Sequence, residues 1–416
     1  MQTKIYKASF SNFKRKTRQL QSFLVHSYAA KLFVVRYISE SRNLESLNEA
    51  KGFFNALNPA QKLNIALSLE TNTSSKPSDL KNELGLFWEV GCKQLLYMSL
   101  RPEWEAHSKR ETGISLLDRE VDSLMHAVVD SLNRSEFTNQ LYIATLVVEK
   151  SILDVGAILN FLSTLEEFHP LINQVLNRQS GDDHLFPILD MSQSHLDVRS
   201  LESLLSHILL LNCEMKCVDR VGLHFYRYQD TIMCCSTELE ELHNFFSQIA
   251  DSLSVIGLTY NKKKSRIFTK QQTFRFLGFE IASKFLVIKE KVYSQSYLNA
   301  SKEQRKLVLA KARYILRSKR KDGTTRAKTN MPLSKAIVLI NPLIINWRSH
   351  YCGLIPRATQ EQLDWLLNEK VYRWYVKRLK KNRVTHWNKK CVKIVNNKKR
   401  ISQDSYTLEL FNKNNA

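Results

Sequence analysis

Glycine is scarce in this chain, 11 residues of 416 where about 7% is usual. Scarcity on that scale argues against Gly-rich phosphate loops and against an all-β fold rich in tight turns. Long apolar runs are missing too. No stretch of about 18 apolar residues occurs, so no membrane span is expected. Met1 to Lys16 lack an apolar signal core, and secretion is not expected. The seven cysteines, Cys92, Cys213, Cys217, Cys234, Cys235, Cys352 and Cys391, are an odd number with no Cys-x-x-Cys pair. A zinc knuckle or zinc-bound nuclease module is therefore unsupported. Cys213 and Cys217, four apart, can share a helix face, and buried thiols in a reducing compartment are preferred to a metal site. His243, His350 and His386 lie in separate segments without a partner at ligand spacing. Nothing resembles a Ser-His-Asp arrangement, a P-loop or a dinucleotide fingerprint, so no cofactor, metal or small-molecule substrate is expected.

What is present in excess is positive charge, +22 overall, and its distribution carries more than its size. Residues 284–400 hold 30 Lys and Arg against 6 Asp and Glu, a net +24, and residues 1–36 hold 8 with no acid. Residues 401–416 carry −1, which leaves residues 37–283 at −9 of the total. An acidic body between two basic arms fits phosphate-backbone binding, because each neutralised phosphate releases condensed counterions. A chain made basic only for solubility would mix its charges throughout.

A length of 416 residues predicts two or three domains and ample core, with an ordinary 43% hydrophobic and 25% charged content. Residues 4–37 read as one helix, with Leu20, Phe23, Leu24, Tyr28, Leu32 and Val35 at three-to-four spacing and basic residues opposite. Residues 43–58 read as a boundary ending in Asn58-Pro59, and a helix follows over 60–69. Residues 71–79 read as a loop. Residues 86–100 read as a helix closing at Arg101-Pro102-Glu103-Trp104-Glu105, and 115–134 as an amphipathic helix. Residues 141–148 read as a strand, 152–168 as helix, 177–199 as irregular and 201–211 as an apolar helix. Beyond Lys284 the pattern is helical throughout, over 297–320, 333–352 and 359–380, with 317–329 an exposed basic loop.

Tyr226-Arg227-Tyr228-Gln229-Asp230-Thr231 places Asp230 at a hairpin tip. A helical pattern, Ile256-Gly257-Leu258, the basic Lys262 to Lys264 and Phe276-Leu277-Gly278-Phe279 come after it. In that order these elements resemble the palm of group II intron-encoded reverse transcriptase/maturases. Ser27-Tyr28-Ala29-Ala30-Lys31-Leu32 resembles the end of that family's basic N-terminal helix. Arg101-Pro102-Glu103-Trp104-Glu105-Ala106 resembles its Glu-Pro-Glu-Trp-Glu-Ala junction. Ile340-Asn341-Pro342-Leu343-Ile344-Ile345-Asn346-Trp347, with Tyr351 beyond, resembles its thumb, domain X. Four motifs in the family's order, over nearly the whole chain, form a specific signal.

The departures fall together. The family's tip reads Tyr-Ala-Asp-Asp, whereas Tyr228-Gln229-Asp230-Thr231 lacks the second carboxylate. The palm Asp of an Asp-Ile-x-Lys run, aligned on Glu149-Lys150, falls on Val147, and Asp154 begins the next helix. Two-metal phosphoryl transfer holds ions about 3.5–4 Å apart on carboxylates from both elements. No Pro-Gln-Gly turn occurs near Phe186-Pro187-Ile188 or Ser194-His195-Leu196, and the fingers look short, with Gly85-Leu86-Phe87 a remnant. The resemblance therefore implies a degenerate member: an α+β chain with degenerate fingers/palm and a small antiparallel sheet, then an all-helical thumb. The expected domains are a basic N-terminal helical extension (1–58), fingers/palm (59–283), thumb (284–400) and a Lys/Asn-rich tail (401–416) without an endonuclease module.

The catalytic set is expected to be none, with Asp230 vestigial, a surface-turn carboxylate in preference to a ligand for one structural metal. Tyr226 and Tyr228 are expected to pack rather than stack on bases, and Gly278 to permit close backbone approach between palm and thumb. Ile344, Trp347 and Tyr351 share one helix face and are expected in the core. Candidate RNA-binding residues are Lys14, Arg15, Lys16 and Arg18; Arg313, Arg317, Lys319, Arg320 and Lys321; and Arg373, Lys377, Arg378, Lys380 and Lys381. The last group interleaves with Tyr372, Trp374 and Tyr375, a mixture that pairs phosphate contact with stacking.

The expected partner is intron RNA, folded for splicing without polymerase chemistry. The alternatives are a residual RNA-directed DNA polymerase using Asp230 with Asp154 or Glu149, and a general RNA-binding protein or chaperone. Lys/Asn/Ile-rich, Gly-poor usage leans to an organelle, a plastid before a bacterial cytoplasm. Neither the intron bound nor the oligomeric state follows from the residues.

Overall fold

Two non-glycine residues break the first helix where no proline or glycine announces it. The computed structural model describes residues 1–40, 58–69, 82–113, 121–133, 141–150, 153–178, 201–218, 223–288, 291–319, 324–351, 353–377, 383–395 and 398–412. Asn12 turns left-handed (φ 58°) and Ser27 is extended, so the predicted 4–37 helix is three: α1 (Gln2–Phe10), α2 (Lys14–His26) and α3 (Tyr28–Glu40). Each break resets the helical phase. Thr17, Gln21, Leu24 and Val25 are buried on α2, and Val34, Val35 and Ile38 on α3. The expected stripe fails at Phe23, Tyr28 and Leu32, all exposed.

α4 (Pro59–Ser68) starts at a capping box, in which Asn58 Oδ1 accepts from the Gln61 N–H and the Gln61 side chain accepts from the Asn58 N–H, with Pro59 at N1. α5 (Asn82–Thr112) does not close at Arg101-Pro102; it runs through. A proline inside a helix removes the donor to the carbonyl four residues back. That carbonyl, on Met98, instead accepts from Gln2 Nε2 at 3.1 Å, and Ser99 O accepts from Gln21 Nε2 at 3.2 Å. Residues of α1 and α2 thus stabilise the interrupted ladder. The boundary read over 43–57 and the loop over 71–79 lie outside the described residues.

The chain continues through α6 (Val121–Asn133), β1 (Tyr142–Lys150), α7 (Val155–Leu162), a 3₁₀ turn (Glu166–Phe168), α8 (His169–Arg178) and α9 (Leu201–Val218). Next come β2 (His224–Tyr228), β3 (Thr231–Ser236), α10 (Leu239–Ser254), β4 (Leu258–Tyr260) and β5 (Arg266–Thr269). The described residues form two compact units, the first within Met1–Arg119, Tyr142–Ile188 and His195–Ile267, the second within Glu120–Leu141 and Phe268–Ala416. In the first, the antiparallel sheet runs β2-β3-β1-β4, with β5 also on β1. Ala144, Leu146 and Val148 of β1 meet Leu204, Leu205 and Ile208 of α9 and Phe245 and Ile249 of α10 in one apolar core.

The second unit holds β6 (Phe274–Phe276), β7 (Phe279–Ile288), β8 (Lys291–Ala300), α11 (Lys302–Leu316), β9 (Arg317–Lys319) and β10 (Thr325–Ala327). It continues with α12 (Leu333–Tyr351), α13 (Arg357–Val376), α14 (Arg383–Lys390), β11 (Val392–Val395), β12 (Lys398–Gln403) and β13 (Tyr406–Thr407). The mixed helix-and-small-sheet character is as expected, but residues 284–400 are not all-helical. β8 occupies the start of the predicted 297–320 helix, and burial alternates along Gln295 to Leu298, the period of a strand. The basic loop read over 317–329 contains the β9–β10 ladder.

The expected tail is packed. β12 pairs with β11 and β13, and Leu408 and Phe411 are buried. Asn341 on α12 fixes this segment twice, donating to Thr407 O (3.0 Å) and accepting from the Glu409 N–H (2.9 Å). Phe411 meets Trp347 edge-on at 4.9 Å. Ile344, Trp347 and Tyr351 are buried along one face of α12, as their spacing indicates.

Candidate nucleic-acid interface

The hairpin tip is built as the sequence indicates. Tyr228 pairs with Thr231, leaving Gln229 and Asp230 as a two-residue turn, with Gln229 left-handed (φ 51°). β1 lies beside it. Val147 pairs with Thr231, and the Val148 N–H donates to Asp230 O at 2.8 Å. Val147 thus lies on the strand next to the tip. Asp230 Oδ1 accepts from the Thr231 hydroxyl at 3.1 Å. Glu149 is held by Asn261 Nδ2 (2.6 Å) and Lys264 Nζ (3.4 Å), and Asp154 caps α7 by accepting from the Ala157 N–H (2.9 Å). Among the described residues no three His, Cys, Asp or Glu side chains converge as metal ligands.

Beneath the tip lies a feature the sequence reading missed. Strand alternation turns Arg227 away from Tyr226 and Tyr228, towards α9. Its guanidinium donates to Glu214 Oε2 at 2.9 and 3.2 Å, approaches His207 Nδ1 at 3.3 Å and donates to Gln229 O at 3.2 Å. Arg227 and Glu214 are each 1% exposed. A buried charge needs its partner and its full hydrogen-bond set, so the pair and the turn carbonyl form one unit. The only sequence signal is an arginine two residues before the turn of an otherwise apolar-aromatic hairpin. Tyr228 is half-buried, and desolvation raises its pKa. Cys92, Cys234, Cys235 and Cys391 are buried thiols outside any disulfide, and burial pushes the Cys235 thiol up to about 12. The side chains of Cys213, Cys217 and Cys352 lie outside the described residues.

The candidate RNA-binding residues separate by environment. Lys14, Arg15 and Lys16 are exposed in the first turn of α2. Arg18 is not a free cation; it pairs with Glu103 at 2.7 Å and also donates to Gln21 Oε1. Arg313 is exposed in the last turn of α11, and Arg317 is half-buried at its C-cap. Lys319 lies in β9 opposite Thr325, while Arg320 and Lys321 are outside the described residues. Arg373 is exposed and paired with Glu369 one turn back, and Lys377 is exposed as the C-cap of α13. Arg378, Lys380 and Lys381 are outside the described residues.

The aromatics of that last segment are packed. Trp374 is buried, Tyr372 and Tyr375 contact Trp387 at 5.3 and 5.4 Å, and Tyr375 meets His386. They join α13 to α14, leaving Arg373 and Lys377 outside.

Phe276-Leu277-Gly278-Phe279 forms the β6–β7 turn, with Phe276 opposite Phe279 and both central residues left-handed (φ 50° and 81°), the geometry of a type I′ turn. Gly278 O accepts from the Ser301 N–H at 2.9 Å and from the Tyr351 hydroxyl at 3.4 Å. A Cβ on Gly278 would lie 2.6 Å from that hydroxyl oxygen. The expected close approach is present, and its partner is Tyr351 of the same unit.

Three family models match, in chain order. The N-terminal domain of reverse transcriptase matches residues 1–68, the reverse transcriptase (RNA-dependent DNA polymerase) model 198–281, and the group II intron maturase-specific domain 315–392. A search of curated proteins found no match. The chain is thus of the reverse-transcriptase type, with a maturase-specific segment after the polymerase-like one. It belongs to the group II intron reverse transcriptase/maturase family.

Proposed function

We propose that this protein binds intron RNA and helps it fold for splicing, with no polymerase chemistry of its own. The observation that carries the second half is the tip: among the described residues it offers one carboxylate, Asp230, beside the paired Val147 and Thr231, while Glu149 and Asp154 are engaged elsewhere. That donor set does not fit a two-metal site, so no step is routed through metal ions. The first half is supported by the maturase-specific match over 315–392 and by the net +24 of residues 284–400. In this reading the ribozyme does the chemistry. The protein neutralises phosphate repulsion, and it stabilises the active RNA fold because it binds that fold and not the misfolded ones.

Crosslinking the protein to RNA in its native host and sequencing what is attached tests the reading. Enrichment over one or a few introns against ribosomal RNA is expected; a profile that follows transcript abundance makes it a general RNA binder. Primer extension on an RNA template with Mg²⁺ or Mn²⁺ is expected to yield no product. Extension abolished by Asp230→Ala would overturn the absence of polymerase chemistry. Lys/Asn/Ile-rich, Gly-poor usage favours an organelle, a plastid before a bacterial cytoplasm, as the place where the RNA is met.

A further inference from the structure

Within the first unit, α1, α2, α5 and the end of α7 enclose a cavity of about 310 Å³, at the small end of the ~300–1,000 Å³ usual for ligand sites. One wall is aromatic: the rings of Trp104 and Phe161 lie 5.8 Å apart, tilted by 32°. The lining also carries three cations, Lys14, Arg18 and Arg110, and one carboxylate, Glu103.

Most of these charges are already committed. Glu103 accepts from Arg18 and Gln21, both at 2.7 Å. Arg110 donates to Ser9 O at 3.0 Å, to Glu111 at 2.8 Å and to His107 Nδ1 at 2.9 Å. Two groups are left over. Lys14 is exposed and makes no side-chain hydrogen bond or ion pair among the described residues. Trp104 is 6% exposed, and its indole N–H finds no acceptor among the described residues, although buried indole N–H groups ordinarily find one. His107 adds a donor: with Arg110 donating to Nδ1, the ring carries its hydrogen on Nε2. Burial, then the Arg110 charge, lowers its pKa and keeps that ring neutral.

An aromatic wall, the Nε2–H of His107 and the exposed ammonium of Lys14 along one cavity suit a flat, acceptor-bearing ring joined to an anion. We propose that the cavity receives one unpaired nucleotide of an RNA strand, its base against Trp104 and Phe161 and its phosphate at Lys14. The ligand chemistry is that of a nucleoside monophosphate. A strand is favoured over a free nucleotide because Lys14 is followed by exposed Arg15 and Lys16, which continue the positive track past the mouth. The inference rests on the RNA-binding reading and locates one contact within it.

The test is fluorescence anisotropy of a labelled single-stranded oligoadenylate hexamer with the full chain, competed by free AMP. Trp104→Phe shrinks the aromatic wall against which the base would lie, and is expected to weaken hexamer binding about fivefold. Lys14→Gln, at an exposed site that leaves the fold unaffected, is expected to weaken it about tenfold. Lys109→Gln removes one charge from α5 outside the cavity and is expected to change little. Far-UV circular dichroism and melting check that Trp104→Phe folds. Hexamer binding that both variants leave unchanged overturns the inference while the RNA-binding reading stands. Free AMP binding as tightly as the hexamer overturns the strand assignment. If the wild-type chain binds neither the hexamer nor a structured intron RNA, both readings fall.

Discussion

Arg227 and Glu214 form an ion pair wholly inside the first unit, 2.9 Å apart, and the same guanidinium holds the carbonyl of Gln229 at the hairpin turn. Removing one member of a buried pair leaves an uncompensated charge, which costs about 3–5 kcal/mol, whereas replacing both by apolar groups is often near neutral. Arg227→Met is therefore expected to lower the urea midpoint sharply. The double variant Arg227→Met/Glu214→Leu should recover most of the loss. Equal stability of the single variant and the parent in that titration would show that the pair is not needed.

Gly278 makes a second demand on the second unit. With φ at 81° and a Cβ position 2.6 Å from the Tyr351 hydroxyl, alanine meets both backbone strain and a collision. Gly278→Ala is expected to cost more than about 1 kcal/mol. Adding Tyr351→Phe should return only the steric part. Thermal unfolding of the two variants separates the contributions, and full recovery in the double variant would mean that backbone strain contributes nothing.

Asp364 makes the second unit sensitive to pH. Its carboxylate accepts the backbone N–H groups of Phe411 (2.7 Å) and Asn412 (3.4 Å), yet burial outweighs them and raises its pKa from 3.8 to about 6. A carboxyl whose folded pKa is raised favours the folded state while protonated. That contribution is complete below about 4 and is lost as pH rises through about 6. Asp364→Asn should consequently gain stability relative to the parent between pH 4 and pH 7. Melting temperatures across that range check the sign, and a difference that shrinks as pH rises contradicts it.

Lys14, Arg15 and Lys16 should act on RNA affinity and leave stability alone. Each phosphate contact to single-stranded nucleic acid contributes about 0.7 to the slope of log K against log salt. Replacing all three by Gln is expected to flatten that slope by roughly 2. Arg18→Gln should behave differently, lowering the melting temperature because Glu103 loses its partner. Binding measured from low to moderate salt distinguishes the two, and an unchanged slope for the triple variant would remove α2 from the interface.

What could be read from sequence followed the range of the interaction. The Gln229-Asp230 turn, the Phe276–Phe279 turn and the Trp347–Tyr351 face depend on residues within a few positions of one another, and each is present as expected. Asn12 breaks a helix without proline or glycine, its left-handed turn followed by a fresh start at Lys14, which local propensity does not announce. The Arg227–Glu214 pair spans 13 residues and needs α9 to pack against β2 before it exists. Phe411 reads from sequence as part of a Lys/Asn-rich tail because its partners lie far upstream, at Trp347 and Asp364. The same holds for the cavity wall: Trp104 sits where the sequence reads a helix end, and the Phe161 ring and the Lys14 and Arg18 cations that join it arrive from two other helices.

The closure of α12 by the segment around Phe411 bears on how the chain can be shortened. A premature stop or an expression boundary placed upstream of Lys398 removes the strand partner of Val392–Val395, the acceptor and donor that Asn341 engages, and the ring covering Trp347. The maturase-specific match ends at residue 392, so a boundary drawn from that match alone would cut into this closure. A fragment cut there would present bare indole and an unpaired strand edge to solvent, two surfaces that drive self-association. Such a protein would fail through insolubility, and its missing activity would be misread as a missing RNA contact.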